Sequence, residues 1–409
     1  MTFSRSEKLF IFFSMISVFC ICGEYAITRP TSNALFLTLF SSKAYPWVWL
    51  ATVPLNLLVI FFYNKFLPKV GPFRMLCTIA SITIAVNSLA AIFVTQAPLI
   101  SFLQYMWKDI YVLLMLKQLW SMVHSTVEST RAKYLYGFIY GMGTLGGISG
   151  SFVPGFLATY FGSEKILLFT LPVYLCLMLS YKLAYQRSKL KTDSFNTDLT
   201  PDPRAREAFS LIRRTPILVA VLLLVVFMQV SAGLIEYQFN AHLELNILDM
   251  DLRTAYCGKI GAIINVLSLT FQFLGALLVI KTLGVKGSHI LIPILLCTSA
   301  LFSFAMPGFA IVSFSYVFLK AIDFSLFGVI REMLYVPLQL DAKFRAKAII
   351  DVFAYRTSKA LVSFGLIALQ AVASSYILQL TSYLSILIFI GWLGTVAFLF
   401  RRSSTIATI

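Results

Sequence analysis

A 409-residue chain with 59% hydrophobic residues, 12% charged residues and a mean hydropathy of +0.85 carries more apolar surface than a water-soluble core can hide, so lipid is its solvent. Its formal net charge of +16, from 33 Lys and Arg against 17 Asp and Glu, would point to nucleic acid in a soluble protein. Here the cations gather in short connections between apolar runs, the pattern that holds loops on the cytoplasmic side of a membrane, which removes the nucleic-acid reading.

Apolar runs of about 20 residues, each able to cross about 30 Å of hydrocarbon, predict twelve helices from end to end. The first, 9–27, follows Arg5 and Lys8 and is interrupted by Glu24 with no small-residue cleavage site after it, so it is expected to be a retained helix rather than a signal peptide; Arg29 stands at its outer end. Spans at 46–63 and 74–95 flank the turn Lys69-Val70-Gly71. The fourth, 99–123, carries Lys108, Asp109 and Lys117, and the fifth, 135–161, holds Gly141, Gly143, Gly146, Gly147, Gly150 and Pro154. No strand precedes that GxGxxG, so it is no dinucleotide fingerprint; small residues there let helix backbones approach in lipid. A sixth span, 166–185, leads into the one long polar segment, 186–216, which divides the chain into a bundle at 1–185, a cytoplasmic linker and a bundle at 217–409. The second half repeats the pattern with spans at 217–239 (Glu236), 259–280, 288–306, 308–330 (Lys320, Asp323), 349–373 (Asp351, Arg356, Lys359) and 377–400.

Two echoes join the halves. Arg131-Ala132-Lys133 before the fifth span has its counterpart in Arg345-Ala346-Lys347 before the eleventh, and Lys69-Val70-Gly71 has one in Leu283-Gly284-Val285. With the N-terminus inside, Lys and Arg concentrate in the cytoplasmic connections, and both termini are expected in the cytoplasm of a bacterial inner membrane. The fold expected is all-α, about twelve transmembrane helices in a six-plus-six, major-facilitator-like pseudo-repeat.

An ionisable residue within a span costs several kcal/mol unless it pairs or faces water, so each is a functional candidate. Lys320 and Asp323 are three apart, as are Arg356 and Lys359, placing each pair on one helix face. The first pair has two readings: a mutual ion pair that only fixes packing, or part of a site. Lys108 beside Asp109 is either a local pair or a lysine that snorkels to the interface. Arg356 with Lys359 is like-charged and calls for an anion, or for Asp351 or Glu332 as a distant partner. Enzyme signatures are missing: His124, His242 and His289 are far apart in sequence, no metal or cofactor set is visible, and without a Walker A motif transport must run on exchange or an ion gradient. The six cysteines read as small apolar residues.

From Lys320 to Lys359 the sequence resembles a known family. Lys320-Ala321-Ile322-Asp323-Phe324-Ser325-Leu326-Phe327, then Arg331-Glu332-Met333-Leu334-Tyr335-Val336-Pro337-Leu338, then Lys347-Ala348-Ile349-Ile350-Asp351-Val352, and Arg356 with Lys359, are similar to motifs of the ATP:ADP antiporter (TLC, nucleotide transporter) family of intracellular bacteria and plastids. Leu234-Ile235-Glu236, Gln118-Leu119-Trp120 and the stretch from Arg29 to Thr38 extend the resemblance. The chain departs from it where the family has Lys-Asp (here Ser32 and Asn33), the glutamate of E-L-W (here Gln118) and T-W-K (here Gln238, Phe239 and Asn240). The resemblance implies an exchanger of anionic small molecules, ATP for ADP by default, in which Arg29, Lys320, Arg356 and Lys359 hold phosphates while Glu24, Glu236 and Asp323 set charge balance or coupling, with Tyr316, Tyr355 or Trp120 available to stack a base. The alternative keeps the fold and changes the cargo: an ion- or proton-coupled carrier of a less charged metabolite, with Glu24, Glu236 or Asp323 carrying the proton.

Overall fold

A computed structural model describes residues 4–127, 129–188, 205–335, 350 and 354–402. The described residues are helical with short turns. In chain order the helices are α1 (Arg5–Phe40), α2 (Tyr45–Val70), α3 (Pro72–Phe93), α4 (Leu99–Thr126), α5 (Ser129–Phe161), α6 (Ser163–Tyr185), the short α7 (Ala205–Arg214), α8 (Pro216–Asn246), α9 (Met250–Gly275), α10 (Ala276–Ala305), α11 (Phe309–Met333), α12 (Tyr355–Ala373) and α13 (Ile377–Arg402). Ten stretches among the described residues are long and apolar enough to cross a membrane, against the twelve spans expected. The last of the ten, Tyr355–Arg401, runs through a 3-10 turn at Ser374–Tyr376 and joins two expected spans, and α5 is not among the ten.

Local chemistry explains where helices start and stop. A capping box opens α1, with the Ser4 hydroxyl accepting from the Glu7 amide and the Glu7 carboxylate accepting from the Ser4 amide at 2.9 Å. The two glycine turns noted in the halves both adopt left-handed backbone, Gly71 at φ +82° after α2 and Gly284 at φ +65° where α10 kinks, a conformation other residues enter only with strain. Asp351, the Arg345-Ala346-Lys347 segment and residues 189–204 of the expected linker lie outside the described residues.

The chain groups into two compact units. The first comprises Met1–Ser41, Pro54–Leu199 and Ile247–Val266; the second comprises Ser42–Val53, Thr200–Asn246 and Leu267–Ile409. In the first, α1 is the central element, packed on α4, α5 and α6. Its contact with α5 is made by glycines: a Cβ at Gly146 would strike the Phe19 carbonyl, and one at Gly150 the Gly23 carbonyl. The opening of α9 also belongs to this unit, because Gly258 meets Gly155 backbone to backbone and Asp251 accepts from the Ser163 amide at 2.7 Å. In the second unit α8 is central, packed on α11, α12 and α13, and Gly233 lets Val362 of α12 come close.

Candidate functional site

In the second unit, the side chains of α8 and α11 form a partly buried polar and aromatic cluster. Lys320 of α11, 8% exposed, donates to the Glu236 carboxylate of α8 at 2.8 Å. One helical turn away on each helix, Phe239 and Tyr316 stack with ring centroids 4.3 Å apart and planes 7° from parallel, and the Lys320 ammonium lies 5.8 Å from the Tyr316 ring. Asp323 accepts from the Gln229 amide of α8 at 3.2 and 3.3 Å. The mutual Lys320–Asp323 pair allowed by their spacing is therefore not the arrangement found: each finds its partner on α8. A π turn, Asp323–Phe327, begins at the aspartate.

Lys359 lies on α12 with its ammonium 5.8 Å from the ring of Trp49, a residue only 2% exposed. Arg356 stands three residues earlier on the same helix, half-buried. The Gln238 amide, where the family pattern would have T-W-K, donates to Thr381 at 2.9 Å and Ser382 at 3.0 Å of α13, so this departure ties two helices together. Asn240 caps the Glu236 carbonyl of its own helix at 2.9 Å.

The first unit holds a second cluster on α1 and α4. Lys108, 3% exposed, bonds the neighbouring Asp109 at 2.9 Å and lies 3.9 Å from the Tyr105 ring; it is buried and paired rather than snorkelling. The Tyr25 hydroxyl donates to Asp109 at 3.2 Å, and the Arg29 guanidinium is 6.0 Å from the Tyr25 ring. Glu24, 1% exposed, accepts from Thr28 at 2.6 Å and from Tyr111 at 2.8 and 2.9 Å. At the end of α4 a cavity of about 570 Å³ is lined by Lys117, Trp120, Ser121, His124 and Ser125, and Trp120 packs on Tyr136 and Tyr140. Gln118 is bonded to the Pro72 carbonyl.

Of the residues expected at a site, Glu236, Lys320 and Asp323 converge on one α8–α11 face, Arg356 and Lys359 share α12, and Glu24 and Arg29 share α1. Tyr316 was expected as a stacking residue. Gln229, Thr28 and Tyr111 were missed, because a lone glutamine, threonine or tyrosine in an apolar span has no marked sequence signal, and Phe239 was noted only as a departure from the family pattern. One signal was available: Glu236 and Lys320 are 84 residues apart, and so are Glu24 and Lys108.

The model of a family described as TLC ATP/ADP transporter matches residues 102–402. ADP,ATP carrier protein 1 of Chlamydia pneumoniae is 26% identical over 211 residues, which is 46% of this chain and 40% of that one; its Chlamydia muridarum counterpart is 25% identical over 207 residues. The chain thus matches about two fifths of the length of these curated relatives. Among solved structures, a D-xylose-proton symporter is similar with a TM-score of 0.66 at 13% identity, covering 95% of this chain and 97% of that one. The nucleoside transporter NupG gives 0.60 at 13%, covering 96% and 99%. At these identities the likeness is one of fold, the major-facilitator-like fold expected from the sequence.

Proposed function

Because this multi-pass membrane chain belongs to the TLC ATP/ADP transporter family, we propose that it is a nucleotide exchanger, with ATP and ADP as the default pair, working by alternating access of two six-helix halves in a bacterial inner membrane with both termini in the cytoplasm. The observation that carries this reading is the Lys320–Glu236 pair beside the stacked Phe239 and Tyr316, within the stretch the family model matches. A phosphate tail needs cations in a low dielectric, and a purine needs a flat apolar surface; this cluster offers both within two helical turns.

In this proposal Lys320, Arg356, Lys359 and Arg29 are the phosphate-holding cations, while Glu236, Asp323 and Glu24 set the local charge. Glu236 holds Lys320 in place when no anion is bound, and an incoming phosphate competes for the ammonium. Tyr316 and Phe239 are the stacking surface for the base. No bond in the substrate is made or broken, so binding, orientation and exclusion of water are all that the side chains have to supply.

The reading is tested by uptake of radiolabelled ADP into proteoliposomes preloaded with ADP. The wild type is expected to show saturable uptake that requires internal nucleotide. Lys359→Ala is expected to lower the rate roughly 10- to 100-fold, the equivalent of losing one charge-assisted hydrogen bond of about 1.5–3 kcal/mol. A folded wild type that exchanges no nucleotide rejects ATP and ADP as cargo.

A further inference from the structure

The two equivalent positions in the halves are satisfied differently. Glu236 and Glu24 are 212 residues apart, as are Lys320 and Lys108, so the acid on the first helix of a half and the lysine on its fourth recur in register. In the second unit the lysine bonds its acid at 2.8 Å. In the first unit Lys108 is bonded instead to Asp109, and that carboxylate is held further by Tyr25. Glu24 is left with neutral donors: Thr28 from its own helix and Tyr111 from α4, with Tyr174 and the Asn87 amide beside it. Thr28 is in turn approached by the Asn87 amide of α3 at 3.5 Å, and Asn87 by the Gln104 amide at 3.4 Å, so this side of the network points donors toward the carboxylate.

From these contacts we infer that Glu24 is a proton-binding site, its carboxylate taking one proton from water to become a neutral acid buried among Tyr111, Tyr174 and Thr28. A carboxylate shut away from water, facing hydroxyls and an amide but no cation, is stabilised as an anion only by neutral hydrogen bonds, and taking up a proton removes the buried charge altogether. Among the described residues no cation forms an ion pair with it. The titratable groups beside the carboxylate are Tyr111 and Tyr174; Lys108 and Asp109 of α4 pair with one another, and Cys20 and Arg29 lie one turn before it and a turn and a half after it along α1. α5 presents glycines to this part of α1. The Tyr174 hydroxyl of α6 also lies beside the carboxylate. This deepens the exchanger reading by giving one of its acids a ligand of its own, and the test below does not depend on what the cargo is.

The test is pH-difference infrared spectroscopy of the purified, lipid-reconstituted protein, wild type and two variants, with monodispersity and thermal midpoint recorded for each. The wild type is expected to show a carboxylic-acid carbonyl band whose intensity titrates with pH. Glu24→Gln is expected to remove that band. Tyr111→Phe, which deletes a donor to the anion, is expected to keep the band and shift its midpoint. A wild-type spectrum without such a band, or a band unchanged by Glu24→Gln, overturns the inference. Should Glu24→Gln not fold, an unshifted midpoint in Tyr111→Phe overturns it. Because nucleotide is absent throughout, failure of ADP exchange and failure of proton binding are read separately.

Discussion

Lys320→Met is expected to lower nucleotide exchange at least 100-fold and to destabilise the fold, the largest functional effect of any single substitution in this chain. The lysine is 8% exposed and its ammonium is 2.8 Å from Glu236, so the methionine removes the partner of a carboxylate that is itself largely withdrawn from water. Breaking a buried pair by deleting one member costs about 3–5 kcal/mol, because the remaining charge is left uncompensated. In the proposed exchanger the side chain also supplies a cation for phosphate, and it lies 5.8 Å from the Tyr316 ring, so a loss of binding is expected to add to the loss of stability. The double variant Lys320→Met with Glu236→Gln separates the two. Removing both charges should restore much of the thermal midpoint, since a neutral pair needs no compensation, while exchange stays at the level of the single variant. Thermal unfolding followed by size-exclusion chromatography, together with ADP uptake, measures both quantities. Recovery of exchange in the double variant would show that Lys320 acts only in packing.

Gly150→Ala is expected to be the most damaging change of one carbon in the protein. The added Cβ would overlap the Gly23 carbonyl of α1, and backbone cannot step aside as a side chain can. The same holds at Gly146, where the obstacle is the Phe19 carbonyl. Overpacking costs about 1–3 kcal/mol where neighbouring side chains yield, and a rigid obstacle moves the figure to the upper end or beyond. Since α1 is the hub of the first unit, separation of α1 from α5 should reach α4 and α6 as well. A fall of several degrees in thermal midpoint and a lower yield of monodisperse protein are expected for Gly146→Ala and Gly150→Ala. Gly137→Ala and Gly141→Ala lie in the same helix with open space at the Cβ, and should be neutral or slightly stabilising because alanine is the better helix former. Equal effects at all four positions would mean that the close approach of α1 and α5 is not what the glycines serve.

The parts of this molecule legible in its sequence are those whose physics is local. Mean hydropathy and span length require helices in lipid, because no backbone polar group can be left unpaired there. The glycine run of α5 announced close packing, since few other residues let helices touch in hydrocarbon, and the turns at Gly71 and Gly284 were marked by the residue that enters left-handed backbone without strain. The motif stretch from Lys320 to Lys359 marked the family, and the family model agrees.

Partnership was not legible. The i, i+3 rule correctly places Lys320 and Asp323 three residues apart on α11, but it compares a residue only with its own helix. The acceptor for Lys320 is Glu236, 84 residues away, and Asp323 is bonded to Gln229. Likewise Lys108 and Glu24 carry the same spacing as Lys320 and Glu236 and do not pair, because Asp109 intervenes beside the lysine. The sequence by itself determined the solvent of this chain, its helices and the charges that lipid will not tolerate unpaired. Only the tertiary structure decided which charge neutralises which, because ion pairing falls off over a few ångströms and those distances are set by how helices pack against one another.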